Sequence, residues 1–361
     1  MMRQVREWLE IRIGLNELTR SQLTEYRVPK NINIFYTLGV VAFVAYLFQS
    51  LTGILLLFYY IPDDKDAFQS VQFIMNLAPY GWLFRLMHVV GSNLMVAIVA
   101  LHMMSAFFLG SYKKPRELTW VVGALLLLTT LGFCLSGYLL PWSQLSFWAT
   151  TVVTNIPTAF PLCGELVCKI LRGSENVSSA TLNRFVAAHV AFLPPLLMSL
   201  FGLHVFLVRR IGISAPPSGR EEEKKWEVFR HDDHPDGPPF YPDFVSKEAF
   251  MITIYFIIMF SIIAFVPALF LPADATTPAD PLNTPEHIRP EWYFLAPYAM
   301  LKLIPSRFLG IALQLVMVMV FILWPFIDKS EKYNIRKRPL LLATFFGIII
   351  IWLGLTLWGS L

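Results

Sequence analysis

Residues 88–102 read HVVGSNLMVAIVALH and residues 189–204 read HVAFLPPLLMSLFGLH, and these two apolar stretches decide the fold. The histidines at their ends are 14 residues apart in the first stretch and 15 in the second. In an α-helix, 14 residues fall about 40° short of four turns and rise ~21 Å, whereas 15 overshoot by about 60° and rise ~22 Å. Each helix therefore presents two imidazoles on roughly one face, at heights that match between the helices.

Two such helices facing each other would hold two stacked bis-histidine sites. We pair His88 with His189 (the first pair) and His102 with His204 (the second pair). Low-spin haem is the natural occupant of such sites. A single histidine could be a structural hydrogen-bonding residue, but polar groups at membrane depth are costly and tend to be functional. Four histidines at matched heights favour the interpretation that the bundle binds two b-type haems.

The composition indicates an integral membrane protein. Of 361 residues, 56% are hydrophobic and 15% charged, and the mean hydropathy is +0.56, whereas a soluble domain carries about 25% charged residues. The three cysteines form no C-x-x-C-H motif, so attached c-type haem is not indicated. Cys163 and Cys168 could form a disulfide on an exported loop, but two free thiols are the favoured interpretation.

Seven apolar runs are long enough to cross a bilayer core of about 30 Å. The sequence therefore predicts an all-α integral membrane protein with seven transmembrane helices, a four-helix dihaem bundle plus a three-helix C-terminal part. The runs lie near residues 35–60, 82–110, 119–140, 184–208, 249–271, 307–328 and 339–358. We divide the chain into an amphipathic N-terminal arm (1–34), the dihaem bundle (35–210), a linker (211–248) and the C-terminal part (249–361).

The distribution of Lys and Arg predicts the orientation. The arm and the loops on its side of the membrane carry 21 of them, against 5 in the opposite loops. Because cytoplasmic loops carry the excess of positive charge, the N-terminus is expected in the cytoplasm and the C-terminus on the other side. The first pair then lies near the outer face of the membrane, and the second pair near the inner face.

Glycines support the same arrangement. Gly39 and Gly53 are 14 residues apart in the first run, and Gly123 and Gly137 are 14 apart in the third. Glycine permits close approach, which a haem edge needs against a neighbouring helix. Glycine is also common in membrane helices for packing alone, but two pairs at the histidine offset fit a bundle around two macrocycles.

Basic residues are candidate partners for anionic haem propionates. Arg85 lies one turn before His88, inside an apolar stretch where an arginine needs a counter-charge. Lys113 and Arg116 follow His102 at the inner level, although the positive-inside rule also accounts for this cluster.

Pro290-Glu291-Trp292-Tyr293 lies in an outer loop at the level of the first pair. A carboxylate beside aromatic residues suits a flat apolar headgroup, and Glu291 could take a proton from a hydroxyl of that ligand. The alternative is an interfacial aromatic belt with an incidental acid.

At these residues the chain resembles cytochrome b of the quinol:cytochrome c oxidoreductases, the bc1/b6f family. The resemblance runs from about Val28 to Leu361. It is strongest at GYLLPWSQLSFW (137–148), ATLNRF (180–185) and PEWYF (290–294). The 14 residues between His189 and His204, and a C-terminal part without an eighth helix, resemble the b6f branch with its b6 and subunit IV parts fused. The b6-type cysteine that attaches an extra haem is Thr37 here, so an additional haem at the inner site would not be covalently attached.

The resemblance implies roles that go beyond the spacing. The first pair would ligate the lower-potential haem and the second pair the higher-potential one, and Arg209 would lie at an inner quinone-reducing site. The outer quinol-oxidising pocket would be lined by Tyr138, Glu291, Tyr293 and Tyr298, with Pro290 and Trp292 in the same motif. Bifurcated quinol oxidation would then be coupled to proton translocation, with a Rieske iron–sulfur protein and a c-type cytochrome as partners in a homodimeric, lipid-embedded complex.

Two other functions remain open from the residues alone. A dihaem membrane anchor of a dehydrogenase would have one quinone site and no PEWY loop, so residues 290–293 argue against it. A transporter or channel could use the histidines as a proton relay, and such a protein would show no b-type absorption bands. The inner-site proton donor is not assigned by the sequence.

Overall fold

A computed structural model describes residues 1–216, 234, 236–271, 275–285 and 288–361. The predicted linker over 217–233 therefore lies outside the described residues. The α-helices are α1 (Met2–Ile13), α2 (Leu15–Thr19), α3 (Leu38–Leu57), α4 (Ala67–Asn76), α5 (Gly81–Phe108), α6 (Glu117–Leu139), α7 (Gln144–Asn155), α8 (Gly164–Arg172), α9 (Ser179–Val186), α10 (Leu193–Ile211), α11 (Val245–Phe265), α12 (Trp292–Leu303), α13 (Arg307–Ile322), α14 (Trp324–Ile327) and α15 (Pro339–Ser360). π-Helical turns cover Arg20–Thr24, Ala187–Phe192 and Phe240–Phe244, and 3₁₀ turns cover Ile34–Thr37, Ile156–Ala159, Pro267–Phe270 and Ile335–Lys337.

The predicted fold class is confirmed. Six continuous helical segments are long and apolar enough to cross a membrane: Ile34–Leu57, Gly81–Phe108, Glu117–Leu139, Ser179–Ile211, Phe240–Phe265 and Pro339–Ser360. The sixth predicted run (307–328) contains α13, an apolar helix of 16 residues, which is followed by the short α14. The chain is a multi-pass membrane protein.

Pro325 explains why the sixth run is divided into α13 and α14. Proline has no amide proton to donate to the carbonyl four residues earlier, so the carbonyl of Phe321 loses its helical partner. The indole of Trp120 on α6 donates to that carbonyl at 2.9 Å. The free backbone acceptor is thereby satisfied inside the protein, as the membrane interior requires.

Four helices form the bundle that the sequence predicts around the histidines. α3 packs along α5, α6 packs along α10, and α5 also contacts α6. The C-terminal helices attach to its outside: α11 packs against α3 and α5, α13 packs against α6, and α12 and α15 pack against each other. The loop between α6 and α9 carries the short helices α7 and α8.

Candidate functional site

Both histidine pairs are brought together in the bundle. The imidazole centroids of His88 and His189 are 6.3 Å apart with ring planes at 74°, and those of His102 and His204 are 6.4 Å apart at 76°. A metal–imidazole bond is about 2 Å long and the ring centroid lies about 1.2 Å behind the nitrogen, so two imidazoles on opposite sides of one iron have centroids about 6.4 Å apart. Both pairs therefore fit axial ligation of a haem iron.

Each predicted glycine faces one of the four histidines. A Cβ built on Gly39 would lie 3.2 Å from Cε1 of His102, and one on Gly53 would lie 3.2 Å from Cε1 of His88. On α6, the corresponding distances are 3.4 Å from Gly123 to His204 and 2.7 Å from Gly137 to His189. The glycines therefore make room for the four imidazole rings themselves, which is a more specific role than the clearance for a haem edge that the sequence suggested.

Arg85 supports an anionic ligand beside the first pair. It lies on α5 one turn before His88, and only 8% of it is exposed. Among the residues that the structure describes, its guanidinium has no ion-pair partner. An isolated buried charge is strongly unfavourable, so an anion at this position would be stabilising. A haem propionate has the required charge.

Lys113 has a different partner from the one that its sequence position suggested. Its ammonium lies 2.9 Å from a carboxylate oxygen of Asp328, which also receives two hydrogen bonds of 2.7 Å from the guanidinium of Arg338 and one from the Tyr112 hydroxyl. Burial alone would raise the pKa of Asp328, but the hydrogen bonds from Arg338, Tyr112 and Lys113 outweigh it and hold the pKa below its usual range. This network joins the α5–α6 loop to the region after α14.

Arg116 is also engaged within the protein. It is buried, and its guanidinium donates two hydrogen bonds of 3.3 and 3.2 Å to the carbonyl of Gly212, just after α10. The role of Lys113 and Arg116 toward a propionate stays a prediction, and in both cases the structure shows an intramolecular partner.

The PEWY residues begin α12 beside the end of α6. Glu291, which follows Pro290, is the N-cap of α12, and its half-buried carboxyl interacts electrostatically with Tyr138 and Tyr293. Burial raises the pKa of Glu291. Tyr138 directly follows Gly137, the glycine that faces His189. The carboxyl therefore lies within electrostatic reach of two tyrosines, one of which follows the glycine that contacts a ring of the first histidine pair.

Cys134 lies beside these groups, although the sequence reasoning did not select it. Its thiol lies within electrostatic reach of Tyr293 and Glu291. The signal that could have identified it is its position four residues before Tyr138, which places both on one face of α6. All three cysteines of the chain are free thiols, Cys163 on the surface and Cys168 in the interior.

Two further PEWY-region residues hold the loop in place. The indole of Trp292 donates a 2.9 Å hydrogen bond to the amide oxygen of Asn93, a buried residue of α5 five positions after His88. The hydroxyl of Tyr298 donates to the carbonyl of Ile288 at 3.2 Å. The predicted pocket residue Tyr298 thus braces the segment that precedes Glu291.

The second pair has its own polar neighbourhood at the other end of the bundle. The guanidinium of Arg209 lies 4.4 Å from the ring centroid of Tyr26 and 4.8 Å from that of Phe240, and its Nη1 is buried without a hydrogen-bond partner among the described residues. The half-buried carboxyl of Glu248 interacts electrostatically with Arg209. An acid in the first turn of an apolar helix was the signal that could have revealed Glu248. Thr37 is fully buried and donates to the Ile34 carbonyl.

Family comparisons agree with this arrangement. A family model described as "Cytochrome b/b6/petB" matches residues 23–212, and one described as "Cytochrome b(C-terminal)/b6/petD" matches residues 278–361. The first contains the four histidines and the second the PEWY residues.

Related proteins match nearly the whole chain. "Cytochrome b" of Allochromatium vinosum is 36% identical over 96% of this chain and 87% of the relative. "Cytochrome bc complex cytochrome b subunit" of Chlorobaculum thiosulfatiphilum is 37% identical over 95% of this chain and 77% of the relative. A solved chain of "Hyperthermophilic respiratory Complex III" superimposes with a TM-score of 0.90 at 37% identity, covering 98% of this chain and 91% of that one. The chain therefore belongs to the cytochrome b family, with its b/b6 and C-terminal parts on one polypeptide.

Proposed function

We propose that this chain is the cytochrome b subunit of a bc-type quinol:cytochrome c oxidoreductase that holds two non-covalent b-type haems. His88 and His189 would ligate one haem and His102 and His204 the other. The observation that carries the proposal is the equal separation of the two imidazole pairs, 6.3 and 6.4 Å, because axial ligation requires this distance. When bound, the haems supply one-electron carriers at two depths of the membrane.

Quinol oxidation is assigned to the pocket around Glu291. Tyr138 and Tyr293 provide flat aromatic surfaces for a quinol ring, while Pro290 and Trp292 shape the loop. The Glu291 carboxylate accepts a proton from a quinol hydroxyl, and its raised pKa brings it closer to the working pH, which improves a general base. Because Tyr138 follows a glycine that faces the first pair, the substrate is oxidised within short reach of the first redox site.

Quinone reduction is assigned to the opposite end, where Arg209 lies near the second pair. Its stacked guanidinium binds a carbonyl oxygen of the quinone, since the buried Nη1 has a hydrogen bond left to donate. Glu248 is the candidate proton donor, because its carboxyl lies within electrostatic reach of Arg209. Oxidation at one end and reduction at the other move charge across the membrane.

The orientation and partners follow from charge and from the relatives. The excess of Lys and Arg places the N-terminus and the second pair on the cytoplasmic side, and the first pair and Glu291 on the outer side. Two of the related proteins described above are named for a bc complex and a respiratory Complex III. We therefore propose a Rieske iron–sulfur protein and a c-type cytochrome as partners, in a two-fold dimer embedded in lipid.

The haem count tests the proposal. The purified complex should show b-type bands in a reduced-minus-oxidised spectrum and two non-covalent haems per chain in a pyridine haemochrome assay. His102→Leu should leave one haem that quinol still reduces through the Glu291 pocket. Leu101→Ala, at an exposed neighbour on the same helix, is the matched control and should retain both. Absence of b-type bands, or an unchanged haem count in His102→Leu, would refute the ligand assignment.

A further inference from the structure

The two histidine pairs differ in the hydrogen-bond partners of their Nδ1 atoms. Nδ1 of His88 lies 3.0 Å from the hydroxyl oxygen of Thr52 on α3. Nδ1 of His189 lies 3.0 Å from the hydroxyl oxygen of Ser136 on α6. Both hydroxyl residues directly precede the glycines that face the same rings. The first pair therefore has a hydroxyl partner on each imidazole.

The direction of these hydrogen bonds follows from the other contacts of the hydroxyls. Thr52 donates its proton within α3, to the carbonyls of Phe48 at 3.0 Å and Gln49 at 3.1 Å. Ser136 donates within α6, to the carbonyl of Gly132 at 2.8 Å. Each oxygen then has lone pairs to accept an N–H. When Nε2 of a histidine binds a metal, the neutral ring carries its proton on Nδ1, so the hydroxyl accepts from the ring.

The second pair has no such hydroxyls. Nδ1 of His102 and of His204 is buried without a hydrogen-bond partner in the part of the chain that the structure describes, although the carbonyl of Thr119 lies near His204. The positions that precede their glycines are occupied by Leu38 and Val122, both buried and apolar. The glycines of the bundle repeat at a 14-residue offset, but the residues that precede them do not. The two sites therefore differ in whether a hydroxyl contacts the histidine Nδ1.

We infer that Thr52 and Ser136 are positioning residues that lower the midpoint potential of the haem held by His88 and His189. A hydrogen bond from Nδ1–H increases the electron density on the imidazole and makes it a stronger base, which stabilises the oxidised iron more than the reduced iron. The bond also holds each ring in one orientation. Leu38 and Val122 cannot do this for the second pair. The inference rests on the haems of the proposed function.

Removal of the hydroxyls tests the inference, because it should change the midpoint potential of the haem held by the first pair. Thr52→Val keeps the volume and branching of the side chain, and Ser136→Ala deletes only the oxygen. In a spectroscopic redox titration of the purified complex, each variant should raise the midpoint potential of the first haem, with the second haem as internal reference. We expect roughly a tenfold change in the reduction equilibrium, which is about 59 mV for a one-electron couple.

Two further variants separate the inference from a structural effect. Thr130→Val removes a buried hydroxyl of α6 whose one hydrogen bond within the described part of the chain is to the Leu126 carbonyl, so neither potential should move. Val122→Thr places a hydroxyl before Gly123 and should lower the potential of the second haem. Retention of two haems with unshifted potentials in Thr52→Val and Ser136→Ala would overturn the inference and leave the proposed function intact. A wild-type complex without two haems would instead refute the proposed function.

Discussion

Substitution of the four glycines by alanine should affect haem retention in an order set by the distances in the structure. The Cβ of Gly137→Ala would lie 2.7 Å from Cε1 of His189, whereas ordinary van der Waals contact begins at 3.4 Å. The ring would have to retreat by about 0.7 Å, more than the ~0.2 Å over which metal–ligand distances vary. At Gly123 the distance to His204 is already 3.4 Å, so the same methyl group should be accommodated.

The assay is haem stoichiometry on purified protein, by pyridine haemochrome against protein concentration. Gly137→Ala should retain one haem per chain, and Gly123→Ala, the matched control on the same helix, should retain two. Gly39→Ala and Gly53→Ala, at 3.2 Å from their histidines, should retain both with shifted spectra. Two normal haems in Gly137→Ala, or selective loss in Gly123→Ala, would refute the reasoning.

Three other perturbations have defined outcomes. Asp328→Asn leaves Lys113 buried without a counter-charge and should lower the free energy of unfolding by roughly 3 kcal/mol, measured by thermal unfolding. In the wild-type protein the pKa of Asp328 is lowered in the folded state. The stabilisation from this carboxylate is therefore complete above about pH 4 and is lost as the pH falls. Glu291→Gln should slow quinol oxidation and abolish the acid limb of its pH profile, because the base form of Glu291 exists only above the raised pKa. Wild-type turnover in this variant would show that Glu291 is not the proton acceptor. Asn93→Leu leaves the Trp292 indole without its acceptor and should lower the free energy of unfolding by ~1 kcal/mol. It should also raise the quinol KM with both haems present. An unchanged KM would show that this hydrogen bond does not position the quinol-binding residues.

Features that repeat within one helix could be predicted from the sequence. The height of each histidine along its helix and the positions of the glycines follow approximately from helical periodicity, which is the same in every straight helix. The membrane spans depend on the length of the apolar runs, and these agree with the helices observed. Local pattern was sufficient because in each case the deciding residues lie on one continuous element.

Contacts between distant segments could not be predicted in this way. Lys113 bonds to Asp328, which lies 215 positions later, and Asn93 bonds to Trp292, which lies 199 positions later. The sequence shows that Lys113 is basic and follows a membrane span, but it does not identify the acidic group that pairs with it. A haem propionate was therefore as reasonable a partner as an acidic side chain. Only the docking of the C-terminal helices onto the bundle brings the Asp328 carboxylate to it.

The 15-residue offset between His189 and His204 has a structural explanation that helical arithmetic missed. His189 lies in a π-helical turn, Ala187–Phe192, in which the Leu193 amide donates to the Ala188 carbonyl five residues earlier. A π turn takes up one extra residue, so the 15-residue offset turns through about the same angle as the 14-residue offset of His88 and His102, about 40° short of four turns instead of about 60° past them. Pro194 and Pro195 follow directly and have no amide protons for the preceding α-helical bonds, which favours the wider turn there. The extra residue thus brings His189 into register with His88 while His204 stays opposite His102, and this is why the two pairs have nearly the same ring separation.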